Sequence, residues 1–104
     1  MASVRWTVGA RADLREIVDY ISQDSVTYAA AQAERIVVNV RRLRHHPRLG
    51  RIVPEYRHPT IRELIVGNYR VVYRVHRQRV AILAIVHGSR DLLRRLPRGP
   101  WNLS

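Results

Sequence analysis

From Ala10 to Ser25 the apolar residues Ala10, Leu14, Ile17, Val18 and Ile21 recur at spacings of three and four. That is the period of a helix with one buried side. Arg11, Asp13, Arg15, Glu16 and Asp19 fall mostly on the opposite side. Asp24 or Ser25 ends this helix and caps the next. Between Val26 and about Arg44 a second stripe runs through Ala29, Ala33, Ile36, Val37, Val40 and Leu43. Pro47 cannot continue a helix and Gly50 permits a turn, so the stripe stops at "HHPRLG". Two helices meeting at a tight corner predict an αα-hairpin with one shared apolar side.

The period then changes to two. Ile61–Val66, Tyr69–His76 and Arg79–His87 read as strands, and "VRWT" (Val4 to Thr7) is a short β-like run ahead of the helices. Gly67-Asn68 is a strong two-residue hairpin signal, whereas Arg77-Gln78 is a weaker one because neither residue favours positive φ. Gly88 breaks the last strand, and "SRDLLRRL" has the makings of one helical turn. The expected fold is α+β in the order β-α-α-β-β-β, an antiparallel sheet with an N-terminal helical hairpin packed on one face. The 104 residues make a single domain, expected over 1–96, with a Pro/Gly-containing tail over 97–104.

The two turns set a register. Val66 should face Tyr69, Leu64 face Val71, and Glu63 face Val72; Val75 should face Val80, Tyr73 face Ile82, and Arg70 face Ile85. Alternation then divides the side chains between two faces. Leu64, Val66, Tyr69, Val71, Tyr73, Val75, Ile82, Ala84 and Val86 form an apolar face for the helices. Ile61, Glu63, Ile65, Arg70, Val72, Arg74, Leu83, Ile85 and His87 form a mixed one. On that mixed face Arg70 and His87 should be diagonal neighbours, roughly 7–8 Å apart at the backbone. Glu63 can reach Arg70 or Arg74 across the sheet, and Arg90 follows the strand end.

Charge adds to this picture. The formal net charge is +11, the pI is about 11.6, and all 19 basic residues are arginine. Such a balance suggests an acidic partner, either nucleic acid or an acidic protein segment, and guanidinium forks suit phosphate and carboxylate. With no cysteine there is no disulfide framework and no Cys-based metal site. His45, His46, His58, His76 and His87 form no H-x-x-x-H pair, so neither a metal nor another cofactor is expected. No stretch reaches membrane-spanning length and "MASVRW" lacks the apolar core of a signal peptide, so a soluble, cytoplasmic protein is expected. No helix-turn-helix recognition helix with base-reading side chains is visible.

Two segments carry a resemblance: "VRWTVGARADLREIVDYISQDS" with "AAAQAERI" and "HPRLGR.VPE", and then "IRELIVGNYRVVYRV" with "VAILAIVHGSRDL". Together, in this order, they resemble the RelE/ParE superfamily of type II toxin–antitoxin toxins over about nine-tenths of the chain. The resemblance implies a bacterial or archaeal toxin neutralised by a cognate antitoxin, with helices on one sheet face and a groove on the other. It also implies one of two activities: poisoning of DNA gyrase without cutting (ParE-like), or cleavage of mRNA in the ribosomal A site (RelE-like).

RNA cleavage through the 2′-OH needs a base, cations for the phosphorane charge, and an acid for the leaving oxygen. Arg70 matches the strand arginine of the RelE-like set and Arg90 the arginine after the last strand. Leu96 stands where a tyrosine is expected, and Ile61 and Glu63 stand where basic residues are expected, with only Arg62 nearby. His87 or Glu63 would have to substitute. Under a RelE-like activity the catalytic candidates are Arg70, His87 and Arg90; under a ParE-like one these bind the target. "RELIVGNYRVVYRV" and "IVHGSRD" look more like ParE, so gyrase poisoning is the leading expectation and ribosome-bound mRNA the alternative target. An acidic or amphipathic antitoxin segment is expected on Ile61, Glu63, Ile65, Val72, Arg74, Leu83 and Ile85, or in the adjoining helix groove. Truncation of Arg70 or Arg90 is expected to reduce toxicity without unfolding the domain.

Overall fold

The computed structural model describes residues 1–88 and 90–97; Ser89 and the tail expected over 97–104 lie, from residue 98 onward, outside them. The chain runs β1 (Ser3–Trp6), α1 (Val8–Ser22), α2 (Val26–Arg41), β2 (Arg51–Ile52), β3 (Ile61–Val66), β4 (Tyr69–His76), β5 (Arg79–His87) and α3 (Leu92–Arg95). The expected order holds with the short β2 added, but the sheet is not the wholly antiparallel one expected. β1 lies parallel to β5 at one edge and the two-residue β2 closes the other, so the sheet is mixed, in the order β1-β5-β4-β3-β2.

Local chemistry sets the helix starts. Thr7 caps α1, its hydroxyl accepting from Ala10 N–H at 3.1 Å while donating to the Ile82 carbonyl at 2.8 Å. Ser25 caps α2 by accepting from Tyr28 N–H at 3.0 Å. A 3₁₀ turn over Arg42–Arg44 ends α2 ahead of Pro47. Gly50 is required by close approach: a Cβ there would sit 2.4 Å from the Glu63 carbonyl oxygen. Its N–H donates to the Tyr73 hydroxyl at 2.9 Å.

The first hairpin has the expected register, Val66 to Tyr69 through Glu63 to Val72, around Gly67 at φ +59°. The second begins as expected, Val75 to Val80 and Tyr73 to Ile82, and then departs. Val72 pairs with Ala84 and Arg70 with Val86, so Leu83 has no partner across the ladder and forms a bulge. Beyond it every side chain changes face. Ile85 joins the helix-side core with Ala10, Ile36, Val40, Leu43, Val71, Tyr73 and Ile82. Ala84 and Val86, expected against the helices, turn to the other face. His87 pairs with Tyr69 instead of neighbouring Arg70, their rings meeting edge to face at 5.5 Å.

The bulged stretch is held from outside the hairpin. β1 stops pairing at Ile82, which leaves the outer edge of β5 uncovered beyond it. Asp13 of α1 fills that gap, its carboxylate accepting from Ile85 N–H at 2.9 Å and from Arg95 Nε of α3 at 3.0 Å.

The mixed face is not an open surface. Residues 53–60 and α3 fold over it, and Val53, Tyr56, Leu92 and Leu96 bury Ile61, Val72, Leu83, Ala84 and Val86 in a second core. The Tyr56 hydroxyl donates to the Leu96 carbonyl and fastens the two covering segments together.

Candidate functional site

Arg70 projects from the first turn-side residues of β4 into the boundary between the second core and solvent. Its relative exposure is 9%, and that of Glu63, on the strand next to the edge strand β2, is 1%. Arg70 Nε meets Glu63 Oε1 at 2.5 Å, and its two terminal nitrogens meet Glu55 Oε1 and Oε2 at 2.7 Å each. The other oxygen of Glu63 accepts from Arg51 Nε of β2 at 2.7 Å. Arg51, Glu63, Arg70 and Glu55 thus form a continuous chain of alternating sign that closes on zero net charge. Hydrogen bonding from the Arg70 guanidinium holds the Glu55 carboxyl below its ordinary range, against the opposing effect of burial. The two carboxylates push the Arg70 guanidinium further up, so it stays charged at every accessible pH.

The candidates therefore fall into unlike places. Ile61, Val72, Leu83 and Ile85 are buried, at 0%, 0%, 4% and 3% exposure, so they offer no surface to a partner in this structure. Of the apolar candidates on that face Ile65 remains exposed, at 56%. Arg74 is half-buried opposite Ile61. Arg70 does not project freely; it is enclosed by carboxylates. Arg70 and His87 still meet at one rim: with Arg51, Glu55, Ile65, Asn68 and Tyr69 they line a shallow depression beside the β3–β4 turn. Arg90 is exposed just past it, its N–H donating to the His87 carbonyl at 2.8 Å.

Leu96, at the position where the RelE-like pattern has tyrosine, is buried and packs against Tyr56. Burial pushes the Tyr56 phenol up to about 12. Among the described residues no group of three or more His, Cys, Asp or Glu is placed to hold a metal ion.

Sequence reasoning missed Glu55 and Arg51, the two flanking charges. Neither falls in a periodic segment, and only "VPE" within the quoted motif touched the first. It also left the groove between β1 and the helices undefined. That groove is lined by Trp6, Val8, Leu14, Val18 and Val37, with Arg5 and Arg11 beside them. Val8, in the first turn of α1, is 76% exposed.

The sequence profile of the family described as "ParE toxin of type II toxin-antitoxin system, parDE" matches residues 4–92. The chain belongs to the ParE toxin family. A relative from Caulobacter vibrioides, "Toxin RelE2", is 38% identical over 91 residues, covering 86% of this chain and 99% of its own. Among solved structures, the toxin resembles a chain of the chromosomal ParDE toxin–antitoxin system from P. aeruginosa. There the TM-score is 0.69 and the identity 29%, over 84% of this chain and 96% of that one. It also resembles a chain of the RelBE2 toxin–antitoxin complex from Mycobacterium tuberculosis, at TM-score 0.58 and 27% identity, over 83% and 96%. The toxin thus shares the RelE/ParE fold, with the helical pair and five-stranded sheet described above. Among its described residues no helix is long and apolar enough to cross a membrane.

Proposed function

We propose that this toxin inhibits growth by binding and poisoning DNA gyrase rather than by cutting RNA. One observation carries the reading. Arg70, the strand arginine that a RelE-like nuclease would use to hold phosphorane charge, is already neutralised by Glu55 and Glu63. A guanidinium enclosed by two carboxylates offers a phosphate little electrostatic gain, because the incoming anion must displace contacts of equal charge and shorter reach. Position 96 holds leucine rather than tyrosine, and the nearby Tyr56 is buried with its hydroxyl held by the Leu96 carbonyl. A toxin that works by occupying a target needs neither a free guanidinium nor a tyrosine acid or base. The test is direct: add the purified toxin to gyrase with relaxed plasmid, and separately to translating ribosomes. Loss of supercoiling or trapped cleaved DNA, with ribosome-bound mRNA intact, is the expected result. Codon-phased cuts in mRNA with gyrase unaffected would establish the endonuclease reading instead.

The antitoxin is proposed to seat an acidic, amphipathic segment in the groove between β1 and the helices. The sheet face first expected to receive it is covered, while the groove combines exposed Val8 with Arg5 and Arg11. Val8→Asp places a charge there without disturbing α1, since an acid in the first helical turn suits the helix dipole. It is expected to weaken co-purification with the cognate antitoxin and leave the fold intact.

A further inference from the structure

At one end of the sheet the described residues gather basic side chains and no side-chain carboxylate. Ala2 N–H donates to the Arg44 carbonyl and Ser3 N–H to the Gln78 carbonyl, each at 2.8 Å. Consecutive residues at the start of the chain thereby hold the 3₁₀ turn after α2 beside the β4–β5 turn. Around this seam Arg44, His45, Arg48, His76, Arg77 and Arg79 are all exposed. The ion pairs found among the described residues use Arg51, Arg70 and Arg95, none of which is in this group. The carboxylates lie elsewhere: Asp91 caps α3 past the far end of β5 and Glu34 lies midway along α2. Asp13, Glu55 and Glu63 are consumed by those pairs. Glu16, Asp19 and Asp24 follow Asp13, which already reaches Ile85 near the far end of β5, so they lie beyond it and away from Arg79.

The backbone supplies a second, independent observation. The non-glycine residues with positive φ among those described are Arg57 at +53° and Arg77 at +56°. Both are arginines, in a conformation that glycine or asparagine adopts with less strain. Arg77 is the tip of the β4–β5 turn. Arg57 sits in the loop whose Thr60 carbonyl accepts from Val75 N–H at 2.8 Å, next to His76. Strain is tolerated twice at this end, each time for a guanidinium.

The chemistry of the patch selects its partner. An acidic protein segment gains most of its affinity from buried apolar and aromatic anchors, and single-stranded nucleic acid from rings on which bases stack. Here Tyr56 and Tyr73 are buried, and the exposed Tyr20 and Tyr28 flank the α1–α2 corner, close to Tyr69 at the other end of the sheet. Trp6 packs against the helix-side core, so what remains is a cluster of guanidinium groups beside two imidazoles, with no exposed tyrosine or tryptophan platform next to it among the described residues, which matches a regular array of phosphates. We propose that this basic end binds the phosphate backbone of duplex DNA through Arg44, Arg48, Arg77 and Arg79, without reading bases. The inference goes beyond the gyrase reading and stands without it.

The experiment is fluorescence anisotropy of a short labelled duplex titrated with the toxin over a series of salt concentrations. Four phosphate contacts give a log–log salt slope of about −3.6. Arg77→Gln with Arg79→Gln, and separately Arg44→Gln with Arg48→Gln, should each weaken binding and reduce the slope by about 2. Arg15→Gln with Arg35→Gln removes the same net charge from the helices and should leave the slope unchanged. The two patch variants do not overlap, so misfolding of one leaves the other as the test. An equal loss in the helix variant would reduce the effect to bulk charge and overturn the proposal. So would the absence of salt-dependent binding, or tighter binding to single-stranded RNA of the same length. A patch variant that keeps duplex binding but loses polyglutamate would overturn it in favour of an acidic protein segment. Because gyrase is absent from this assay, its outcome is separate from that of the supercoiling test.

Discussion

Arg70 presents both terminal nitrogens to the carboxylate of Glu55 at 2.7 Å each, tying the loop over residues 53–60 to the centre of the sheet. Because Arg70 also holds buried Glu63, it is a structural member of the fold before it is anything else. Arg70→Ala strands two carboxylates, one of them wholly buried. Breaking a buried pair from one side costs about 3–5 kcal/mol. For a domain of this size each kcal/mol moves the midpoint by about 4–8 °C. A fall in Tm of more than about 10 °C is expected, reversing the expectation that truncation leaves stability untouched. A double-mutant cycle with Glu55→Ala should show a coupling of about 0.5–3 kcal/mol. An unchanged Tm in Arg70→Ala would show that the network contributes nothing.

Acid should loosen the same network. The folded state depresses the Glu55 carboxyl below its ordinary value of 4.5, first through the hydrogen bonds from Arg70. A depressed carboxyl contributes stability that is complete above the unfolded value and is lost as pH falls through the folded one. Urea midpoints measured down through the acid range should therefore drop below about pH 4.5. Glu55→Gln should flatten that part of the profile while lowering the plateau at neutral pH.

At the alkaline end Tyr56 sets the sign. Burial raises its phenol from 10.0 to about 12 in the folded state. The stability it contributes is complete below the unfolded value and is lost as pH rises through the folded one, so unfolding becomes easier between pH 10 and 12. Tyr56→Phe removes both this dependence and the hydrogen bond to the Leu96 carbonyl, at a cost of about 0.5–1.5 kcal/mol at neutral pH. Spectrophotometric titration should show one late-ionising phenol fewer in the variant.

Asp13 is expected to hold the bulge and α3 in place together. Asp13→Ala leaves the Ile85 amide unsatisfied and releases Arg95, a loss of about 1–3 kcal/mol. Amide hydrogen exchange should quicken at Ile85 and over Leu92–Leu96, while the first hairpin keeps its protection. Uniform quickening along the sheet would mean that Asp13 supports global stability instead.

The sequence by itself determined the elements and their order. Helical spacing placed Ile36, Val40 and Leu43 on one side, Ser25 marked a cap, and Gly67-Asn68 set the first hairpin residue by residue. These features are legible because each depends on neighbours within a few positions. The family, too, was legible from its motifs, whereas the partner of Glu63 was left open between Arg70 and Arg74 and only the structure selects Arg70. The tertiary structure alone decided the rest. The bulged end of β5 is bonded to Asp13, some seventy residues earlier, and nothing in "RVAILAIVH" distinguishes a bulged strand from a regular one. One unpaired residue moved Ala84, Ile85, Val86 and His87 to opposite faces, because side chains alternate with a period of two. The same holds for the covered face. Val53, Tyr56, Leu92 and Leu96 come from segments without periodicity, and only their meeting across the sheet shows that Ile61 and Val72 are core and that Arg70 is enclosed.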